Sequence, residues 1–184
     1  MRTATLLLHI KSYEDNSFEY WMRCAMTEVR RIDLEQPGEL ERALLTVGRV
    51  FDEFVAPGYL PEGVEEFYRF ISPDSLGKAL ASDERQMWVA LVDGSIAGII
   101  ALRSENHICL FFVDSAFHGQ GVGRALYDAV LVHLRAIGRE FVTVYSSQYA
   151  VHVYEHLGFT KVCEETLVRG MYSTPMCAYI FLGE

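Results

Sequence analysis

The stretch that decides the fold is "FFVDSAFHGQGVGRALYDAVL", residues 111–131, which runs from an apolar segment through three glycines into a helical pattern. Gly119, Gly121 and Gly123 each cost about 1 kcal/mol of conformational entropy and bury nothing. A helix N-terminus exposes unpaired N–H groups, and glycine removes the Cβ that would keep an anion away from them. We therefore predict that Gly121 and Gly123 admit a diphosphate while Gly119 serves the turn. A turn built only for tight strand–helix packing is the alternative.

Two familiar glycine motifs do not fit this loop. A dinucleotide-binding GxGxxG motif would need glycine at the position of Arg124, and a P-loop would need Gly-Lys-Ser/Thr, which the sequence lacks. The loop is therefore a different kind of pyrophosphate site.

The segments around the loop alternate between strand and helix patterns. Asp93-Gly94 joins two strand-like runs in the way that favours a two-residue hairpin turn, and "HICLFFV" is apolar on both faces, which is typical of a central strand. The patterns predict strands at 28–33, 86–92, 95–102, 107–113, 141–146, 160–166 and 175–182, a loop at 167–174, and helices after Pro37-Gly38, from Pro61, near 72–82, at 122–137 and within 147–157.

Length, charge and composition limit the class of protein. The chain has 184 residues, 51% apolar, which suits one domain at 27–184 preceded by an extension at 1–26, with Met26 as an alternative start. A net charge of -9 without a basic run argues against nucleic-acid binding, and no run is long enough to span a membrane. The four cysteines form no CxxC pair, so we expect a reducing, cytoplasmic location.

Two motifs together resemble the GNAT superfamily of acetyl-CoA-dependent N-acetyltransferases. "HGQGVG", residues 118–123, is similar to the family's Arg/Gln-x-x-Gly-x-Gly/Ala signature, with His118 in the Arg/Gln place. "VYSSQYAVHVYEHLGF", residues 144–159, is similar to its second motif, which ends in Tyr-x-x-Leu-Gly-Phe, with Ser147 where Asn is common. The resemblance covers residues 28–184.

The resemblance implies an α/β (α+β) fold: a mixed, mostly antiparallel twisted sheet of six to seven strands with helices on both faces, splayed between strands 108–113 and 141–146. Acetyl-CoA would lie in the gap as co-substrate, without a metal. Its pantetheine arm would bind the backbone of residues 111–113, and its diphosphate would bind the amides of residues 119–124. An N–H at about Val113 would stabilise the oxyanion. The implied contacts are Phe111, Phe112, Val113, His118, Gly119, Gln120, Gly121, Val122, Gly123, Arg124, Ser147 and Tyr154.

The implied reaction is direct attack of a primary amine on the thioester, with Tyr154 as general acid to the leaving thiolate; a core tyrosine is the alternative. Glu105, with His107 nearby, is the candidate base, although both fit a solvated turn. Because His118, Ser147 and the missing strand carboxylate depart from the pattern, a non-catalytic acyl-CoA sensor is a second hypothesis. Acetylation of a protein N-terminus or lysine is a third.

The acceptor would lie against the early helices and the 168–175 loop. Phe51, Phe54, Tyr59, Phe67 and Tyr172 are candidate contacts, although aromatic residues at helical spacing more often belong to the core. His152 and His156 have metal-compatible spacing but no third ligand, so we predict no metal site. His118 could face a phosphate or hydrogen-bond the turn, and Arg124 could face a phosphate or solvent. We expect an amine acceptor, no nucleic-acid or membrane partner, and leave a homodimer open.

Overall fold

The computed structural model describes residues 27–180, so the predicted extension at residues 1–26 and the last four residues lie outside it. The strands are β1 (Thr27–Arg31), β2 (Arg85–Val92), β3 (Ser95–Arg103), β4 (His107–Val113), β5 (Phe141–Ser146), β6 (Thr160–Lys161), β7 (Thr166–Val168) and β8 (Met171–Tyr179). The helices are α1 (Glu39–Phe54), α2 (Pro61–Phe70), α3 (Pro73–Ala81), α4 (Val122–Ala136) and α5 (Val151–His156), with 3-10 turns at Ala56–Gly58 and Ser115–Phe117.

One sheet organises the chain. Its strands follow the order β1-β2-β3-β4-β5-β8-β6, and the short β7 pairs with β8. The ladder between β4 and β5 is parallel, whereas the other ladders are antiparallel. The predicted mixed, mostly antiparallel sheet with β4 at its centre is confirmed.

Helices cover both faces, as predicted. On the back face, Leu126, Val130 and Leu134 of α4 are fully buried against the sheet. On the front face, α1, α2 and α3 pack over a second apolar cluster that includes Met87, Val89, Ile99, Ala101 and Leu110. Ile137, predicted near the inner face of α4, is instead exposed because the helix ends at Ala136.

The first hairpin forms where the sequence predicts it. Asp93 and Gly94 both adopt positive φ, 51° and 74°, and Val92 pairs with Ser95 across the turn. Two positive φ values match the twist that a two-residue turn needs between antiparallel strands. This hairpin fixes the register of the strands that lead to β4.

The C-terminal prediction was wrong in two respects. The strand predicted at 160–166 is limited to β6, Thr160–Lys161, and residues 162–165 are not in a strand. Residues 167–174, predicted as a loop, belong largely to a hairpin in which Val168 pairs with Met171. Arg169 and Gly170 supply the two positive φ values, 50° and 77°. Arginine adopts this conformation only when its surroundings enforce it, so the dipeptide gives little turn signal in the sequence.

Candidate active site

The glycine loop follows β4 directly. Asp114 closes the 3-10 turn by accepting a hydrogen bond from the Ala116 N–H at 2.9 Å. Gly119 and Gly121 then take left-handed φ values of 71° and 82°, and Gly121 is the N-cap of α4. Both glycines therefore serve the turn, whereas we had predicted that role for Gly119 only.

The first turn of α4 presents free amides. The first intrahelical bond runs from Ala125 N–H to Gly121 C=O at 2.9 Å, and no side chain caps the helix. By helix geometry, the N–H groups of Val122, Gly123 and Arg124 have no intrahelical acceptor. Their alignment with the helix dipole makes this end of α4 attractive to an anion.

Gly123 lies in the first turn of α4, and its α-carbon faces the side chains of Phe111 and Val113. A Cβ added there would meet Phe111 Cζ and Val113 Cγ2, each at 3.6 Å, which is ordinary van der Waals contact. The protein itself therefore has room for a methyl group at residue 123. The absence of a side chain leaves space beside the amides of α4.

A gap opens between β4 and β5, as the predicted splay requires. The two strands pair only at His107–Thr143 and Ile108–Val144. On the other side of β4, the Asp114 N–H donates to Ala97 C=O at 2.9 Å. Because hydrogen bonds alternate along an antiparallel ladder, the N–H and C=O groups of Phe111 and Val113 must face the gap.

A β-bulge at Cys109 marks where the strands separate. Leu110 pairs with Ala101 and Ile108 pairs with Leu102, so Cys109 is the extra residue on β4. Its Sγ lies 3.5 Å from Ala101 O. Burial raises the pKa of the Cys109 thiol to about 11, against a smaller lowering by Arg85 and Arg103, so the thiol stays protonated at neutral pH.

Tyr154 of α5 lies against the end of β4. Its ring makes edge contacts with Phe111 and Phe159, with ring centroids 6.1 and 5.1 Å apart, and the residue is only 6% exposed. Burial raises the pKa of the Tyr154 hydroxyl above its ordinary value. The phenol is therefore protonated throughout the physiological range and can act as a hydrogen-bond donor.

His118 makes a hydrogen bond to the end of β4, whereas the predicted alternatives were a phosphate and the turn itself. Its Nε2 lies 2.8 Å from Val113 O, one of the carbonyls that face the gap. Its ring also lies 5.4 Å from that of Phe54 on α1. Arg124 is exposed and pairs with Asp128, one helical turn away, at 3.0 Å.

Glu105 is not brought to the glycine loop. It lies in the β3–β4 turn with a φ of 67°, at the opposite end of β4, and its side chain is 63% exposed. Its carboxylate pairs with Arg139. His107 is closer to the gap: its Nδ1 lies 2.9 Å from Thr143 Oγ1, and burial, with a smaller effect from Arg103, lowers its pKa to about 4.

A cavity of about 180 Å³ lies between the end of α1 and the loop after β5. It brings together Phe54, Tyr59 and Ser147 from the predicted site residues, and it adds Gln148 and Tyr149, which the sequence analysis missed. Tyr149 stacks on Phe54 with ring centroids 4.8 Å apart. The sequence signal for Tyr149 was its position just after the strand that borders the gap.

The other predicted acceptor contacts lie outside the lining of this cavity. Phe51 is fully buried and stacks on Phe67 at 3.7 Å, within the helical layer. Tyr172 belongs to the β7–β8 hairpin, opposite Leu167.

The start of α2 meets the β7–β8 hairpin through two glycines. Leu60 N–H donates to Gly170 C=O at 2.9 Å, and Arg169 pairs with Glu66 at 3.1 Å. A Cβ on Gly63 would collide with the Gly170 backbone, and one on Gly170 would lie 2.5 Å from Gly63 N. This contact, the Gly63–Gly170 clasp, fixes the spacing between the helical layer and the hairpin.

Within residues 27–180, no group of three or more His, Cys, Asp or Glu side chains is arranged to hold a metal ion. Over the same residues, every helix is too short or too polar to cross a membrane.

Comparisons with known proteins agree on the domain type. A family model described as an acetyltransferase (GNAT) domain matches residues 55–179. The mycothiol acetyltransferase of Propionibacterium freudenreichii is 40% identical over 63 residues, which are 33% of this chain and 20% of that protein. The N-acetylaspartate synthetase of Homo sapiens is 35% identical over 82 residues, or 39% of this chain and 26% of that protein.

These curated relatives are thus matched over about a quarter of their length or less. Among solved structures, the PaiA N-acetyltransferase of Thermoplasma acidophilum in complex with coenzyme A superposes with a TM-score of 0.69. It is 18% identical, and the match covers 83% of this chain and 98% of that one. This similarity supports the fold alone.

Proposed function

Because the chain belongs to the GNAT family of acetyltransferases, we propose that it transfers the acetyl group of acetyl-CoA to a primary amine by direct attack in a ternary complex. One observation carries the proposal: β4 and β5 part after two residue pairs, beside a helix whose first amides have no cap. The gap offers strand-like hydrogen bonds to an extended ligand, and the amides offer charge to an anion.

The residues present fit acetyl-CoA as co-substrate. The amides of residues 119–124 would take the diphosphate, with Gly121 and Gly123 allowing close approach. Each charge-assisted hydrogen bond contributes about 1.5–3 kcal/mol, so three or four amides can offset the overall charge of -9. The pantetheine arm would pair with the groups of Phe111 and Val113 that face the gap. His118 would have to release Val113 O for the full set of strand-like bonds.

The amine must lose a proton and the thiolate must gain one. The neutral amine attacks the thioester carbon, the carbonyl oxygen gains negative charge, and the C–S bond then breaks. An N–H of Val113 or Phe111 would stabilise that oxygen, since both face the gap. The amine's proton passes to a base or to water, and the sulfur receives a proton from a nearby acid.

We assign the acid to Tyr154, which contacts Phe111 at the end of the gap. Its raised pKa keeps the proton available but makes the phenol a weaker acid. Burial acts in the same direction on a thiol, since it raises the pKa of the nearby Cys109 to about 11. In this apolar gap the departing sulfur is therefore also a stronger base than in water, and donation from Tyr154 stabilises it as the C–S bond breaks.

The proposed base is Glu105. It would act through solvent, because it lies in the β3–β4 turn and pairs with Arg139. Glu105→Gln distinguishes the roles. If Glu105 is the base, the substitution should lower kcat at least tenfold at pH 7. If Glu105 only forms a surface ion pair, kcat should stay within twofold of the wild type.

Thiol release from acetyl-CoA, measured across a panel of small amines, lysine peptides and peptides with free N-termini, tests the proposed reaction. We expect turnover with at least one small amine. Coenzyme A binding by calorimetry without turnover of any acceptor would instead support the acyl-CoA sensor, which His118 and Ser147 motivate. Turnover confined to peptides would move the acceptor to a protein N-terminus or lysine.

A further inference from the structure

A row of basic side chains crosses the sheet at the end of β4 away from the glycine loop. Arg85 on β2 lies directly opposite Arg103 on β3, and Arg103 lies opposite His107 on β4. Directly opposed side chains have Cβ atoms about 5 Å apart. Met87 and Ala101, two residues along from the arginines, pack into the front cluster, so both arginines occupy the front face.

The two arginines lack the carboxylate partner that six other arginines of this protein have. Arg30, Arg49, Arg69, Arg124, Arg139 and Arg169 each pair with a carboxylate. Across residues 27–180, neither Arg85 nor Arg103 forms an ion pair, and Arg85 Nη1 is buried without a hydrogen-bond partner. The Arg85 guanidinium is held 4.2 Å from the centre of the Phe70 ring. Like charges placed side by side with an unsatisfied donor are destabilising unless an anion binds there.

The row lies close to the gap. Arg103 lies opposite His107, and β4 parts from β5 directly after Ile108, the next residue. Cys109 precedes Phe111 by two residues, or about 7 Å along a strand. His107 is neutral at pH 7 and held by Thr143, so the positive charge of the row comes from the two arginines.

We propose that Arg85 and Arg103 bind a carboxylate of the acceptor, so that the substrate is a small amine that also carries a carboxylate, with a few bonds between the two groups. This inference rests on the proposed acetyl transfer at the gap. A planar carboxylate can accept paired N–H donors from a guanidinium, and two adjacent guanidinium groups neutralise it fully.

The first experiment compares acceptors that differ only in charge: aspartate, glutamate and β-alanine against asparagine, glutamine and β-alaninamide. We expect at least a tenfold higher kcat/KM for one acid over its amide. Arg103→Gln and Arg85→Gln should each reduce that preference to threefold or less, with the KM for acetyl-CoA unchanged. Arg42→Gln removes the same charge from an exposed helical position and should keep the preference. Equal use of acid and amide would overturn the inference.

A second experiment does not depend on turnover. Calorimetry with the same acids, with the protein saturated by coenzyme A, should show binding to the wild type that Arg103→Gln lowers at least tenfold. Arg103→Lys, which keeps the charge, should bind with intermediate affinity and checks that the variants fold. If no acceptor is acetylated but an acid binds through these arginines, the acetyl-transfer proposal fails and the carboxylate site stands. Binding of phosphoethanolamine but of no acid would overturn the carboxylate assignment.

Discussion

The two ends of β4 differ in how many neighbours they have. At His107 and Ile108 the strand is hydrogen-bonded on both sides, and Ile108 is 1% exposed. From Phe111 to Val113 it is paired with β3 alone, and its other edge faces the gap. An unpaired strand edge in the middle of a sheet leaves backbone hydrogen bonds unmade, and the proposed pantetheine contacts would supply them.

The largest expected effect is on stability, and it should differ between the two ends of β4. Ile108→Ala removes a fully packed side chain and should lower the free energy of unfolding by about 2–5 kcal/mol. Val113→Ala, at the open end, should cost less than half as much because Val113 is only partly buried. Urea denaturation measures both values. Equal losses would mean that the gap is as well packed as the paired end.

Tyr154→Phe should have the next largest effect, and it acts on rate. Loss of the proton donor should lower kcat about 10- to 100-fold, with the KM for acetyl-CoA within threefold of the wild type. Tyr127→Phe is the matched control, since Tyr127 is equally buried on α4 and burial also raises its pKa, to about 12. A kcat for Tyr154→Phe as high as that of this control would remove Tyr154 from the chemistry.

Gly123→Ala should raise the KM for acetyl-CoA about tenfold, since the methyl group would lie against Phe111 and Val113, where we propose that the pantetheine arm meets the first turn of α4. The melting temperature should hold or rise, because alanine favours a helix over glycine by about 1 kcal/mol and the new Cβ meets only ordinary contacts. Gly48→Ala in α1, also with ordinary contacts, is the control for stability without an effect on KM. An unchanged KM in Gly123→Ala would argue that the loop only packs strand against helix.

The smallest effect concerns pH at the paired end. The folded pKa of His107, about 4, lies below its unfolded value near 6.5, so the unfolded chain binds more protons between these values. Stability should therefore be full above pH 6.5 and decline as the pH falls toward 4. Because the ring is partly exposed, solvent screens the effect, and we expect about 1 kcal/mol of loss at pH 5. The His107→Asn variant should lose less free energy of unfolding than the wild type between pH 7 and pH 5. An identical loss in both proteins would mean that other groups cause the pH dependence.

The sequence predicts individual strands and the glycine loop where local signals coincide. Asp93-Gly94 fixes one hairpin, the apolar run before Asp114 fixes the central strand, and the glycines locate the start of α4. Each of these signals depends on residues close together in the chain. This is why the glycine loop could be placed from the residues themselves, whereas the central gap was implied by the resemblance to the GNAT superfamily.

The remaining features depend on pairing between distant segments. The bulge at Cys109 has no residue signature, since cysteine is an ordinary small apolar residue in a strand. The pairing of Glu105 with Arg139, and the alignment of Arg85 with Arg103, follow from register and loop packing. A single-residue slip would reverse which face each side chain occupies, so spacing along the chain alone could not reveal these partners.

The Gly63–Gly170 clasp has a consequence for how this protein can change over time. Each glycine is blocked by the main chain of the other segment, so a mutation elsewhere that shortens a side chain cannot compensate for adding a Cβ. Single substitutions at Gly63 or Gly170 therefore cannot be accommodated at the present spacing between α2 and the hairpin. Under the proposed function, new acceptor preferences would arise from side chains such as Arg103 and Tyr149, with the spacing between α2 and the β7–β8 hairpin held constant.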